Sequence, residues 1–204
     1  RSYSVLSREA EHVVRLTGPG EDLANFVPWK ASNWSLIMWH KLEVIRRALD
    51  THDLVVFTDG DVHFERAGAI DDLLARMAAD ASLEVIAQND GTSDGDTSGL
   101  CAGFLCVRST KRTRNLFTFP RAQLDRRWDD QAYLNAELQR GAARWAALPL
   151  ALYPNGRYFE LSVQDPHVTG THFLAPPGPL MVHFNWIIGS DKERAMRAHG
   201  RWVV

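Results

Sequence analysis

Apolar residues recur at helical spacing from Ser35 to Leu49, where Met38, Leu42, Ile45 and Leu49 share one face and Lys41, Arg46 and Arg47 lie on the others. That is the pattern of an amphipathic helix packed on a core. Asp53 then leads into Leu54-Val55-Val56-Phe57, a continuous apolar run that ends in Thr58-Asp59-Gly60-Asp61. Such a run fits a strand covered on both faces. A second helix is predicted from about Ile70 to Ala79 and a strand from Leu83 to Ala87. A polar loop rich in Gly, Asp and Ser follows from Asn89 to Gly99, then another strand from Gly103 to Val107. Asp129 or Asp130 caps a helix running to about Arg140, and Trp145 to Leu152 is strand-like. Leu180 to Phe184 is an apolar run ending near His183, Gly189 breaks the chain, and Ser190-Asp191-Lys192-Glu193 has the form of a capping box opening a last helix. Near the start, Tyr3 to Ser7 is predicted as a short strand, Arg8 to Leu16 as a helical stretch, and Gly18 to Gly20 as a turn. Helices alternating with buried strands predict an α/β fold, a single domain over residues 1–204 whose mostly parallel central sheet is flanked by helices.

Composition narrows the function classes. At 204 residues, with 45% hydrophobic and 24% charged positions, the chain is long enough to bury one sizeable core. Its formal charge of -2, with both signs interspersed, gives no general pull toward bare nucleic acid or an anionic bilayer, so any anion has to be bound by a local site. No apolar run approaches the length of a membrane span. The two cysteines, Cys101 and Cys106, have an odd separation that predicts opposite faces of a strand and no bridge between them. A reducing, cytoplasmic setting fits; a first residue of Arg1 rather than Met leaves a trimmed leader or anchor open.

Three constellations carry candidate chemistry. Asp59 and Asp61, separated by one glycine directly after a buried strand, present two carboxylates at the carboxyl edge of a sheet, where open α/β folds bind ligands. Hard oxygen donors of this kind suit Mg²⁺ or Mn²⁺, which bridge phosphate oxygens. The same pair also resembles an aspartyl nucleophile, so it does not by itself choose the reaction. His183, Gly189 and Lys192 form H-x5-G-x2-K across a strand, a turn and a helix start. Imidazole is a good third ligand for Mn²⁺, Gly189 lets the backbone approach a ligand, and a helix amino end with Lys192 makes an anion site for a diphosphate. Asp129-Asp130-Gln131 opens a helix with Asn135 one turn on along the same face. A carboxylate or amide there can sit against an anomeric carbon and support an oxocarbenium-like centre. Cys101-Ala102-Gly103-Phe104 would lie beside it, its small residues making room for a sugar.

Other features are weaker. Asp90, Asp94 and Asp96 with Gly95 have the look of a calcium loop, but Cys101 stands where the closing Glu belongs, and a loop over a ligand site is the better reading. Among the seven tryptophans, Trp186 is the one whose position suits sugar stacking, since most others belong to a core. His167 and His172 have no partner at ligand spacing.

The motifs taken in order resemble the nucleotide-diphospho-sugar transferase family of GT-A fold that includes plant cell-wall arabinosyl- and xylosyltransferases. The resemblance is carried by Trp39-His40-Lys41-Leu42-Glu43-Val44, Phe57-Thr58-Asp59-Gly60-Asp61-Val62, Cys101 through Thr110, Asp129-Asp130-Gln131, and His183-Phe184-Asn185-Trp186 through Gly200-Arg201-Trp202. It implies a metal-dependent, retaining transfer from a UDP-sugar to a hydroxyl of a saccharide, protein or small molecule. Asp59, Asp61 and His183 would hold Mn²⁺ (or Mg²⁺), Gly189 and Lys192 would lie near the diphosphate, and Lys41, Asp130 and Gln131 near the donor sugar. The readings that compete with it are a metal-dependent phosphohydrolase using Asp59 as nucleophile and a sugar-nucleotide-binding protein without turnover.

Overall fold

The computed structural model describes residues 34–95, 99–124, 128–157, 178–187, 189–198 and 200–201. The strand, helix and turn expected between Tyr3 and Gly20, together with His167 and His172, lie outside these residues. The amphipathic stretch forms helix α1 (Trp34–Thr51) and buries Leu42, Ile45 and Leu49. It leads into β1 (Leu54–Thr58) and the short β2 (Val62–Phe64). Helix α2 (Ala69–Ala79) turns its face of Ala69, Leu73 and Met77 inward. Strands β3 (Val85–Asn89) and β4 (Leu100–Arg108) are buried almost throughout. Thr110 then caps α3 (Lys111–Leu116), its side chain accepting from the Thr113 N–H while Thr113 reciprocates, a capping box not anticipated from the pattern. Asp129 caps α4 (Asp130–Gln139) by accepting from the Ala132 N–H. The described residues end with β5 (Trp145–Leu148), β6 (Met181–His183) and α5 (Gly189–Ala198). Helix α5 begins at Gly189, so Ser190 lies within its first turn and not at the cap.

The main sheet has the order β1-β4-β3-β5. Strand β4 is antiparallel to both β1 and β3, while β3 and β5 are parallel. Three strands therefore run one way and β4 runs against them. The expected parallel sheet holds for strand direction, but the reversed strand in the middle makes two of its three ladders antiparallel. The reason is the β3–β4 connection: residues 90–99 are fewer than the roughly dozen or more that a parallel crossover needs, so the chain returns antiparallel. Apolar residues on the two faces of this sheet feed two cores. Leu42, Ile45, Val85, Leu105, Val107 and Leu134 make one beneath α1 and α4. Leu73, Met77, Ile86, Phe104, Cys106 and Tyr153 make the other beneath α2.

The register slips between Ala87 and Gln88, where β4 carries the extra residues Ala102, Gly103 and Phe104 between its pairing residues Cys101 and Leu105. Leu100 and Ala102 join one core whereas Phe104 and Cys106 join the other, so alternation breaks at Gly103 and the odd spacing of the two cysteines does not translate into opposite faces. Both are free buried thiols. Among the described residues no helix is long and apolar enough to cross a membrane.

Candidate active site

The site assembles where β1 ends. Asp59 extends the β1–β4 ladder by one bond, its N–H donating to the Gly103 carbonyl at 2.7 Å. The chain then turns through Gly60 and re-enters β2. Val62 of β2 pairs with His183 of β6, and the Phe184 N–H donates to the Asp61 carbonyl at 3.0 Å. Two strands of three residues each thus bring Asp61 beside an imidazole from the far end of the chain. Asp59, Asp61 and His183 each offer a donor atom within 4.8 Å of the other two.

Each of the three is held by protein. His183 is buried, with Nε2 3.1 Å from Asp61 Oδ1 and Nδ1 2.7 Å from Gln88 Oε1. Lys192, in the first turn of α5, reaches Asp61 Oδ2 at 2.5 Å. Burial alone would raise the Asp61 carboxyl, but His183 and Lys192 outweigh it and hold it well below the usual carboxylate range. Burial would likewise depress the His183 imidazole; the Cys101 sulfur and the Asp61 carboxylate reverse that and raise it to about 10. Without a metal, two cationic side chains therefore neutralise Asp61. A parallel arrangement surrounds Lys41, whose buried ammonium lies 3.2 Å from Asp59 Oδ1 and 3.0 Å from Asp130 Oδ2. Although burial opposes the charge, the two carboxylates overcome it and keep Lys41 protonated. The result is a chain Asp59–Lys41–Asp130 that joins the carboxylate pair to the start of α4.

Gly103 is needed by this packing. A Cβ at that position would lie 2.4 Å from His183 Cε1 and 2.5 Å from Asp59 Oδ2, far inside contact distance. The room that the small residues of β4 make is thus taken by His183 and Asp59. Gln131 and Asn135, the same-face pair of α4, seal the bulged part of β4. Asn135 accepts from the Leu100 N–H at 2.8 Å and donates to its carbonyl at 2.9 Å, while Gln131 accepts from the Ala102 N–H at 3.1 Å. Gln131 also donates to Asp90 Oδ2 at 2.9 Å.

Asp90, in the loop after β3, is a hub of this arrangement. Its Oδ1 accepts from Asn185 at 3.1 Å and from the Trp186 indole at 3.0 Å. Burial pushes its carboxyl upward, and the donors from Trp186, Gln131 and Asn185 pull against that shift. Asp94 accepts from the Leu150 N–H at 2.7 Å. Both carboxylates thus serve protein donors, and Asp96 lies outside the described residues. Trp186 is half exposed, has φ 65, and carries the Arg157 guanidinium 5.2 Å from its ring centre. Trp128 instead packs against Phe119 and Tyr133.

Gln88, Asn155 and Gly156 were not singled out by the sequence. Asn155 donates to the carbonyls of Asn89 and Gly91, both at 2.8 Å, and the Gly156 N–H donates to Asn185 Oδ1 at 2.6 Å. A Cβ on Gly156 would fall 1.7 Å from the Asn185 carbonyl oxygen, so glycine there lets the segment after His183 lie against the sheet. For Gln88 a signal existed: it directly follows the apolar run Val85-Ile86-Ala87 and precedes a second amide, Asn89, and a polar group that a strand carries into a core requires a partner.

A carboxylate pair at the end of a sheet strand is thus faced by an imidazole and a lysine from the last elements of an α/β chain, in a fold of the GT-A-like class. Among solved structures, a glycosyltransferase involved in the glycosylation of the major capsid of PBCV-1 aligns over 89% of this chain and 81% of its own, at 11% identity and a TM-score of 0.52. That similarity establishes the shared fold. The glycosyltransferase GlyE of Streptococcus pneumoniae TIGR4 aligns over 73% of this chain and 37% of its own, at 20% identity and a TM-score of 0.46. No curated protein matches the sequence. The family model for nucleotide-diphospho-sugar transferases matches residues 1–196, and the chain belongs to that family.

Proposed function

We propose that the protein is a metal-dependent glycosyltransferase that moves a sugar from a UDP-sugar to a hydroxyl of a saccharide, protein or small molecule, with retention at the anomeric carbon. One observation carries the reading: in a chain of this family, two carboxylates and an imidazole converge within 4.8 Å at the carboxyl end of a sheet strand. The donor set fits a divalent ion of the Mn²⁺ or Mg²⁺ type. It offers oxygen and imidazole nitrogen, and three protein donors leave coordination positions for phosphate oxygens and water. Bound there, such an ion supplies charge neutralisation for the diphosphate as it leaves.

The residues do the rest. Asp59 and Asp61 would hold the cation with His183, and Lys192, freed from Asp61, would offer its ammonium to the phosphate oxygens at the amino end of α5, next to Gly189. Lys41 holds Asp130 and Asp59 in fixed relation. Because the Asp130 side chain is only 4% exposed and paired with Lys41, the half-buried Gln131 is the group presented to the sugar, with Asp130 stabilising positive charge from behind. Trp186, tied through Asp90 to Gln131, supplies the aromatic face on the acceptor side. Family membership favours transfer over phosphoester hydrolysis by Asp59. The test is a panel of nucleotide sugars, with and without Mn²⁺, scored for release of the nucleoside diphosphate and for the anomeric configuration of the product. Mn²⁺-dependent release from a UDP-sugar is expected. A wild type that binds and cleaves none of the donors overturns the transferase reading.

A further inference from the structure

Gln88 is fully buried at the end of β3. Its Nε2 donates to the carbonyls of Tyr153, at 3.1 Å, and Pro154, at 3.0 Å. Carbonyls can only accept, so the amide cannot be turned round: Nε2 faces them and Oε1 faces the other way, 2.7 Å from His183 Nδ1. An amide oxygen also only accepts, and Nδ1 must therefore carry the proton of that bond. A neutral imidazole protonated at Nδ1 has its lone pair on Nε2, the nitrogen that points at Asp61.

The two carbonyls that fix Gln88 are themselves held. Tyr153 is fully buried, and its hydroxyl donates to Asp72 at 2.6 Å. The Pro154 carbonyl accepts the His183 backbone N–H at 3.1 Å as well as the Gln88 amide, so the backbone and the ring of His183 hang from the same segment. The other neighbour of Nδ1, the Cys101 sulfur, is 3.6 Å away and is a weak partner by chemistry. Flipping the ring would leave the buried Gln88 oxygen facing a carbon.

We propose that Gln88 is a positioning residue for divalent-cation binding: it fixes His183 in the tautomer and ring orientation that offer Nε2 to an ion shared with Asp59 and Asp61. The proposal rests on the metal reading above. Partners that hold the second nitrogen of a ligating histidine typically account for 10–100-fold in metal affinity.

The experiment measures Mn²⁺ affinity of the full chain by the EPR signal of free ion, for wild type and Gln88→Met. In parallel, nitrogen NMR of ¹⁵N-histidine-labelled, Zn²⁺-loaded wild type identifies the ligating and protonated nitrogens of His183. Gln88→Met, similar in size but without polar ends, is expected to bind Mn²⁺ about 10–100-fold more weakly. In wild type, Nε2 is expected on the metal and the proton on Nδ1, a readout that survives even if a variant does not fold. Wild-type affinity in Gln88→Met or a metal on Nδ1 overturns the proposal. Failure of wild type to bind Mn²⁺ at all overturns the metal reading itself, which separates the two.

Discussion

Gly103→Ala is the substitution whose effect the geometry specifies most sharply. The added methyl would lie 2.4 Å from His183 Cε1 and 2.5 Å from Asp59 Oδ2, so both side chains, or β4 itself, have to move by about an ångström to reach ordinary contact. Little nearby can yield. Gly103 is in the interior of β4, its carbonyl holds the Asp59 N–H, and the His183 ring is clamped between Gln88 and Asp61. Overpacking of this kind costs about 1–3 kcal/mol, which for a chain this size lowers Tm by roughly 2–12 °C. The functional loss is larger, because displacing a positioned group by about 1 Å costs on the order of 100-fold in rate. Gly60→Ala is the control: a Cβ there meets nothing within 4 Å, although Gly60 is the glycine between the two aspartates. Thermal melts, Mn²⁺ titration and donor cleavage of both variants give the answer. A Gly103→Ala protein with wild-type Tm, Mn²⁺ affinity and turnover would refute the close packing of His183 and Asp59 on β4.

Lys41→Met strands the buried Asp130 carboxylate and is expected to cost about 3–5 kcal/mol, read by chemical denaturation; adding Asp130→Asn should recover part of it, and strictly additive effects would contradict the Asp59–Lys41–Asp130 chain. In metal-free protein, His183 lies above its ordinary 6.5, at about 10. Its contribution to stability is therefore complete below about pH 6.5 and lost as pH rises toward 10, whereas that of Asp61, held below its ordinary 3.8, is present above that pH and lost on acidification. A melting profile of wild type against His183→Gln checks the alkaline limb, and identical slopes would refute it. Because Mn²⁺ has to displace the His183 proton, its affinity should climb with pH over the same alkaline window. Trp186→Ala should raise KM for a saccharide acceptor roughly tenfold, as loss of about 1.4 kcal/mol of stacking implies, and leave donor hydrolysis intact; Trp186→Phe should retain most acceptor affinity.

The elements were legible wherever burial imposed a period. The apolar faces of α1 and α2 and the run Leu54 to Phe57 are one-sided or continuous, and their bounds in the structure differ by only a residue or two. The direction of β4 was less visible, since it depends on the loop before it and not on the residues within the strand. Strand β2 escaped because three residues carry no period, although its pairing with β6 is what joins Asp61 to His183. In the site, the acidic pair and the His-Gly-Lys run were recognisable from residue type and order. The groups that hold them were not. Asp90 and Asn155 act through partners far away in the chain, and such contacts leave no mark on local sequence; Gln88 left only an amide beside an apolar run. Gly103 stood out in the sequence as room for a sugar, whereas the structure gives that room to two proposed metal ligands.

Pulsed EPR of the Mn²⁺ complex with UDP tests the central claim most directly. One imidazole nitrogen and the phosphorus nuclei of the diphosphate should couple to the same ion, and the nitrogen coupling should vanish in His183→Ala. A Mn²⁺ ion that shows phosphorus coupling without nitrogen, or keeps its nitrogen coupling in that variant, would contradict it.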